Sequence, residues 1–124
     1  MTTTAIGKEA EEAAADYLIS QGFKIIDRNW KNRWCEIDIV AKREIKKSLL
    51  KRETIIHFVE VKFRKTAAYG SGLEHITQKK IQQLKKAALN WVSDNNWDGD
   101  YRIDAIEIDG ETGQIEYIEN AITA

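Results

Sequence analysis

Apolar positions recur along the chain at two spacings, which predict two helices and five strands. Spacings of three and four residues predict helices over residues 6–21 and from an N-cap at Thr77 to residue 93. Shorter stretches with alternating apolar, β-branched or aromatic residues predict strands. These strands are residues 23–26, 34–41, 55–63, 101–108 and 114–118. The order α-β-β-β-α-β-β predicts an α/β fold with a mixed central β-sheet flanked by helices, in two or three layers.

The third predicted strand, residues 55–63, reads IIHFVEVKF and is apolar or aromatic on both alternating faces apart from three positions. This pattern is typical of a central strand that is covered on both sides. Polar stretches predict turns at residues 29–32 and 109–113. The most polar stretch, residues 42–54, predicts a long hairpin connection, and its pattern leaves open whether it contains strand or helix of its own.

Length and composition favour one globular domain. The chain has 124 residues, of which 43% are hydrophobic and 31% charged, so it falls outside the disordered and membrane-spanning classes. We therefore expect a single domain over residues 1–124 that needs no disulfide, and Cys35 is the only cysteine. The first residues lack a basic segment followed by an apolar one, so we expect a cytoplasmic protein without a membrane contact.

Charge is segregated along the chain, although the net charge is only −1. Residues 24–86 carry 17 Lys and Arg against seven Asp and Glu, whereas the segments on either side are acidic. Such a basic segment favours a surface for phosphate groups, and Trp30 and Trp34 flank a basic turn within it, where they are candidates to stack on bases. A solvated surface on which both signs mix after folding explains the composition equally well.

Two charged side chains continue an apolar face of the central strand. Ile56 and Phe58 lead on that face to Glu60 and then to Lys62, where the alternation predicts burial. Burying an ion pair costs several kcal/mol of desolvation per ion, so charges at such positions mark a candidate site. Hairpin pairing with the preceding strand would bring Asp38 beside Glu60. Two carboxylates so close repel each other unless they share a proton or a cation.

Oxygen ligands of this kind suit Mg²⁺ or Mn²⁺, and an ion held there suits hydrolysis of a phosphodiester bond. Asp38 and Glu60 are the predicted ligands, and Lys62 is predicted to orient the attacking water and to offset charge on the phosphate. Glu9 and Glu11 border opposite edges of the apolar stripe of the first helix, and Glu11 is the candidate for a further ligand or for holding a water of the ion. The alternative is a charge network in which Glu60 and Lys62 pair with neighbours at the end of the sheet.

Six short sequence motifs, some of which contain the candidate site residues, follow one another along the chain. In chain order they are GKEAEEAAADYL, RNW, CEIDIVA, FVEVKFR, ITQKK and RIDAIEI, and they span residues 7–108. This succession resembles the bacterial YraN-like family of predicted endonucleases, which is similar to archaeal Holliday-junction resolvases and to the PD-(D/E)XK nuclease superfamily. The resemblance implies a restriction-endonuclease-like fold and a Mg²⁺- or Mn²⁺-dependent endonuclease acting on DNA, including branched or repair intermediates. It places Asp38 at the motif aspartate, Glu60 and Lys62 at the E-x-K pair and Glu11 at the helical glutamate of resolvase-like members.

Cations near these motifs are candidate contacts to the nucleic acid. Arg28 and Asn29 resemble a family element near the site, where Arg28 is the candidate phosphate contact, and Lys80 stands where family members often carry a lysine. Arg64 and Lys65 directly follow Lys62. Each also has an ordinary interpretation, such as a strand-end arginine for Arg28 or a solvated helix face for Lys80.

The expected partner is duplex or branched DNA, with RNA as an alternative. A substrate with the two-fold symmetry of a four-way junction implies a homodimer. Two competing hypotheses assign the protein to functional classes other than an enzyme. One is a nucleic-acid-binding module that keeps the nuclease fold without cleavage, and the other is a structural domain in which the charged residues form a network.

Two further polar residues lie on predicted strands. His57 is on the face opposite Glu60 and is predicted to be a packed, hydrogen-bonded histidine. Asp104 resembles a recurrent family aspartate, and a role as partner of Lys62 or Lys80 is one interpretation.

Overall fold

Two helices and five strands make up the structure, a computed structural model that describes residues 3–33, 35–64 and 77–122, with side chains from residue 7 onward. In chain order the elements are α1 (Thr3–Ser20), β1 (Lys24–Lys31), β2 (Glu36–Lys46), β3 (Arg52–Arg64), α2 (Gln78–Asp94), β4 (Tyr101–Asp109) and β5 (Ile115–Ile122). The strands form one sheet in the order β1-β2-β3-β4-β5, in which β3 and β4 are parallel and the other neighbours antiparallel. The predicted α/β class, mixed sheet and element order are confirmed.

The two helices cover opposite faces of the sheet. Val59 on β3 packs in one cluster with Leu18 of α1, whereas its neighbour Phe58 packs in a second cluster with Leu84 and Trp91 of α2. Because successive strand side chains point to opposite faces, the sheet lies between α1 and α2 in three layers. Neither helix, as far as the chain is described, is long and apolar enough to cross a membrane.

Local sequence sets the helix ends that border the sheet. Thr77 caps α2, because its hydroxyl accepts a hydrogen bond from the Lys80 backbone N–H at 3.1 Å. Gly22 follows α1 with a φ of +92°, in the left-handed region that glycine adopts without strain. The Phe23 N–H then donates to the Leu18 carbonyl at 3.0 Å, which closes the turn that leads into β1.

β1 is longer than the hydrophobic pattern predicts, and the turn expected at residues 29–32 is therefore wrong over most of its length. Pairing with β2 continues to Lys31, which lies opposite Glu36. Asn29 has a φ of +50° within this strand, a conformation that Asn tolerates better than most residues. β1 is an edge strand, where water can satisfy polar side chains and no apolar alternation is required.

β2 and β3 extend into residues 42–54, the segment whose conformation the sequence left open. Their ladder continues to the pair Lys46 and Arg52. The Lys47 N–H donates to the Lys51 carbonyl at 2.9 Å across the connecting turn. Polar side chains occur on both faces of this part of the hairpin, so neither the strand nor the helix period is visible in its sequence.

A buried polar network joins β3, β4 and β5 on the α1 side of the sheet. Asp104 and His57 are fully buried, and Asp104 Oδ2 lies 2.6 Å from His57 Nδ1. The Asp104 carboxylate also accepts hydrogen bonds from the Tyr117 hydroxyl at 2.5 Å and the Asn120 backbone N–H at 2.7 Å. The predicted packed histidine is confirmed for its burial and for Nδ1, whereas Nε2 is buried with no hydrogen-bond partner in the described part of the chain. The suggested pairing of Asp104 with a lysine of the site is wrong, because its side chain points to the opposite face of the sheet.

Candidate active site

The candidate site lies where the ladder between β2 and β3 ends. The last regular pair is Ile39 and Val59, so Asp38 and Glu60 occupy the next positions, on the face that α2 covers. The Asp38 Oδ2 atom accepts a hydrogen bond from the Val61 backbone N–H at 2.8 Å, in place of a main-chain acceptor. Asp38 and Glu60 therefore meet, as hairpin pairing predicts, and we call them the carboxylate pair.

The two members of the carboxylate pair lie close together and are largely removed from water. Glu60 is only 9% exposed and Asp38 is half-buried. Burial, followed by the negative charge of Glu60, raises the pKa of Asp38 to about 7. Burial also raises the pKa of Glu60, although the charge of Lys80 opposes this shift. The pair thus holds a proton near neutral pH, and a bound cation would take the place of that proton.

Two lysines supply positive charge beside Glu60. The Lys80 Nζ atom, in the first turn of α2, lies 3.4 Å from Glu60 Oε1. Lys62, two residues along β3, also acts to lower the pKa of Glu60 through its charge. The second carboxylate oxygen, Glu60 Oε2, is buried and has no hydrogen-bond partner in the described part of the chain. An unsatisfied buried oxygen is costly unless a ligand binds it.

Glu11 approaches the site from α1. Burial raises the pKa of Glu11, and the charge of Asp38 raises it further. The nearby Asn29 side chain of β1 acts to lower the pKa of Glu11, and the adjacent Arg28 forms an ion pair with Glu12 at 2.9 Å. The ion pair joins β1 to the turn of α1 that carries Glu11.

The predicted nucleic-acid contacts have different surroundings. Lys80 lies within the site, whereas Arg28 is an exposed cation engaged by α1 at its edge. The Arg64 guanidinium is partly buried and forms an ion pair with Glu107 on β4. Lys65 lies outside the described residues. Of the three that the structure describes, Lys80 is the one that contacts the carboxylate pair.

The donor set of the carboxylate pair fits a hard divalent cation. Mg²⁺ is usually bound through one or two carboxylates and keeps several waters, and Mn²⁺ also suits oxygen ligands. Asp38 and Glu60 supply such oxygens, and Glu60 Oε2 has an acceptor site free for the ion. Within residues 3–33, 35–64 and 77–122, no three Asp, Glu, His or Cys side chains form a ready-made metal-ligand group. The arrangement is an open two-carboxylate site with Glu11 at its edge.

Sequence reasoning found the carboxylates but assigned no role to Asn29. Asn29 has a left-handed backbone conformation and lies near Glu11, and no hydrophobic period reveals either feature. Of the two tryptophans considered for base stacking, Trp30 is half-buried against the α2 cluster, and Trp34 lies outside the described residues.

Comparison with known proteins places the chain in a family. Residues 10–108 match the uncharacterised protein family UPF0102. A UPF0102 protein of Trichlorobacter lovleyi is 42% identical over 121 residues, which cover 94% of this chain and 89% of the relative. A UPF0102 protein of Sulfurihydrogenibium sp. strain YO3AOP1 is 40% identical, covering 99% and 98%, and one of Vibrio parahaemolyticus is 37% identical, covering 95% and 92%. The chain therefore belongs to the UPF0102 family, which is the YraN-like family that its motifs resemble.

Proposed function

We propose that this protein is a Mg²⁺-dependent endonuclease that hydrolyses phosphodiester bonds in DNA, with branched or repair intermediates as substrates. The observation that carries the proposal is the carboxylate pair, in which buried Glu60 and half-buried Asp38 lie close together and one Glu60 oxygen is unsatisfied. Buried groups of like charge destabilise a fold unless a ligand offsets them. The resemblance to PD-(D/E)XK nucleases, and to their restriction-endonuclease-like fold, supports the same function.

Each residue of the site has a role in this reaction. Asp38 and Glu60 hold the ion through their carboxylate oxygens. When bound, Mg²⁺ or Mn²⁺ polarises a phosphate oxygen and lowers the pKa of a water molecule. Lys62 positions the attacking water and, together with Lys80, offsets the negative charge that accumulates on the phosphate. Glu11 orients water at the edge of the site.

Cleavage assays test the proposal directly. Wild type is incubated with end-labelled single-stranded, duplex, flap and four-way-junction DNA in Mg²⁺ or Mn²⁺. Asp38→Asn and Lys62→Gln are purified alongside, and Asp98→Asn, which alters an exposed carboxylate before β4, is the matched control. We expect the first two variants to lose about 100-fold or more in rate, as removal of charge stabilisation typically does. We expect the control to cleave like wild type.

Two outcomes oppose the proposal in different ways. Equal cleavage by wild type and Asp38→Asn means that the activity comes from a contaminant or from another site. Folded wild type that binds DNA but cleaves none of the four substrates favours the non-catalytic binding module.

A further inference from the structure

The hairpin of β2 and β3 projects beyond the rest of the sheet. β1 pairs with β2 only as far as Lys42, and β4 pairs with β3 only from Ile56 onward. Residues 43–55, which we call the distal ribbon, therefore have no strand on either side within the described part of the chain. The four remaining ladder pairs, from Arg43–Ile55 to Lys46–Arg52, extend about 14 Å beyond the sheet at the usual rise per residue.

The tip of the distal ribbon presents apolar side chains to water. Leu49 is 88% exposed and Leu50 is 100% exposed, in the turn that closes the hairpin. Of the exposed large apolar residues, these two are the most exposed in the described part of the chain and the only adjacent pair. Two leucines side by side at a projecting tip are suited to contact a partner rather than to pack within the fold.

The sides of the distal ribbon are basic. It carries five Lys and Arg against two Glu. Both glutamates form ion pairs within the ribbon. Glu53 Oε2 lies 3.0 Å from Lys47 Nζ, and Glu44 Oε2 lies 3.8 Å from Arg52 Nη1. Lys46 and Lys51 make no ion pair within the part of the chain that the structure describes. The ribbon therefore presents net positive charge around its apolar tip.

A basic cleft lies at the base of the distal ribbon. Its volume is about 370 Å³, and among the described residues its charged lining consists of Lys24, Lys42, Arg43, Arg52 and the single acid Glu44. Lys24 and Lys42 are directly opposite each other in the ladder between β1 and β2. Like charges at such positions destabilise the sheet, and a bound anion would remove that repulsion.

We infer that the distal ribbon is a duplex-binding arm, which inserts into the major groove of DNA while the basic cleft binds a backbone phosphate. The major groove admits a two-stranded β-ribbon, apolar side chains contact the thymine methyl group there, and cations gain affinity by releasing counterions. This inference rests on the proposed function, since it names the part of the substrate that this arm holds. Eight residues of β2 separate Asp38 from Lys46, or about 27 Å, so the arm is separate from the carboxylate pair.

The charge pattern favours DNA over a lipid surface. Stable attachment to a bilayer needs a broad apolar face or a second anchor, whereas the tip offers two leucines between basic strands. Phosphate groups on both sides of a groove match cations on both sides of the ribbon.

Binding in EDTA separates this arm from catalysis, because no cleavage occurs without a divalent ion. The probe is a fluorescent duplex of about two helical turns, roughly 20 base pairs, followed by anisotropy over a range of salt concentrations. We expect Leu49→Ser/Leu50→Ser to weaken binding about tenfold with the salt dependence unchanged. We expect Lys46→Gln/Lys51→Gln to lower the slope of log affinity against log salt by about 2, since each phosphate contact contributes about 1.

Matched controls change equivalent residues elsewhere. Ile19→Ser/Leu89→Ser removes two exposed apolar side chains from the helices, and Lys8→Gln removes an exposed cation of α1. Both are expected to bind like wild type. An unchanged midpoint temperature of thermal unfolding in every variant shows that the surface substitutions left the fold intact.

Three results overturn the inference: ribbon variants that bind like the controls, wild type that does not bind duplex, or leucines needed for anionic vesicles but not for DNA. The proposed function is judged separately by cleavage in Mg²⁺. Ribbon-dependent binding without cleavage supports the arm and contradicts the nuclease. Cleavage that requires Asp38, together with ribbon variants that bind duplex like wild type, supports the nuclease and contradicts the arm.

Discussion

The side chains of Asp38 and Glu60 are held close together although their charges repel. Burial raises the pKa of both carboxyl groups, and for Asp38 the charge of Glu60 adds to the effect. A raised carboxyl pKa means that the folded state binds a proton more tightly than the unfolded chain does. The two carboxylates therefore destabilise the fold when both are ionised, and a cation relieves that cost.

The stability of the metal-free protein should fall as pH rises. The stabilisation from protonated Asp38 is fully present below its unfolded pKa of about 4 and is lost as pH rises through about 7. The raised pKa values of Glu60 and Glu11 act in the same direction. We expect the free energy of unfolding, measured by urea denaturation in EDTA, to decrease by about 2–4 kcal/mol between pH 5 and pH 8.

Asp38→Asn is the control for this pH profile. Asparagine keeps an oxygen that accepts a hydrogen bond from the Val61 N–H but carries no charge. The decrease of unfolding free energy with pH should therefore become smaller, and the variant should be more stable than wild type at pH 8. Mg²⁺ should raise the stability of wild type at pH 8 and leave the variant nearly unchanged. A wild-type profile that is flat, or a slope that the Asp38→Asn substitution leaves intact, contradicts a shared proton at the site.

At the scale of secondary-structure elements, β1 connects α1 to the site. Arg28 forms an ion pair with Glu12, and the adjacent Asn29 acts on the pKa of Glu11, so this part of β1 lies against one turn of the helix. Glu9 lies on the same helix but lines a different surface, with Phe63 and Ile108. The two glutamates Glu9 and Glu11 therefore form a matched pair for testing the contribution of α1.

Glu11→Gln should lower the cleavage rate about tenfold or more, since partners that orient water or ligands typically contribute 10–100-fold. Glu9→Gln should leave the rate unchanged. The measurement is initial rate against Mg²⁺ concentration on the best DNA substrate. Equal rates for both variants would remove Glu11 from the site.

The network around Asp104 stabilises the opposite face of the sheet. Asp104→Ala leaves His57, the Tyr117 hydroxyl and the Asn120 N–H without their acceptor, and we expect a loss of about 3–5 kcal/mol in unfolding free energy. Tyr117→Phe removes one donor and should cost only about 1 kcal/mol. Chemical denaturation measures both. Similar losses for the two variants would show that the carboxylate is not the centre of the network.

Elements with a clear hydrophobic period were predictable, and polar ones were not. The stripe of α2 and the apolar β3 follow from residues that face a core, and the Thr77 cap follows from its hydroxyl; these elements are confirmed. β1 beyond residue 26 and the distal ribbon are exposed, so burial imposes no period on their sequence. Main-chain pairing, which every residue except proline can make, extends them instead.

The carboxylate pair was predictable for a related reason. Glu60 interrupts an apolar face, and a charge in such a place is visible in the sequence as a departure from alternation. The roles of Asn29 and Asp104 depend on backbone conformation and on which strands become neighbours, neither of which the pattern contains.

At the scale of the whole molecule, the basic segment of the chain divides between two places. One part, with Lys62 and Lys80, lies beside the carboxylate pair, and the other forms the distal ribbon and its cleft. The acidic end of the chain contributes Asp104 and Glu107, which are buried in β4 beside His57 and Arg64. Folding therefore mixes part of the segregated charge, because Arg28, Arg43 and Arg64 pair with acids of the flanking segments. The net charge of −1 nevertheless conceals these two basic regions.

Direct titration of the metal-free protein with Mn²⁺, followed calorimetrically and by competition with Mg²⁺, tests whether the carboxylate pair is a divalent-cation site. Binding should weaken at least about tenfold in Asp38→Asn and Glu60→Gln, as loss of a charged ligand requires, and stay unchanged in Asp98→Asn. Wild type that binds no ion, or that binds it with the same affinity as Asp38→Asn, would contradict the central claim.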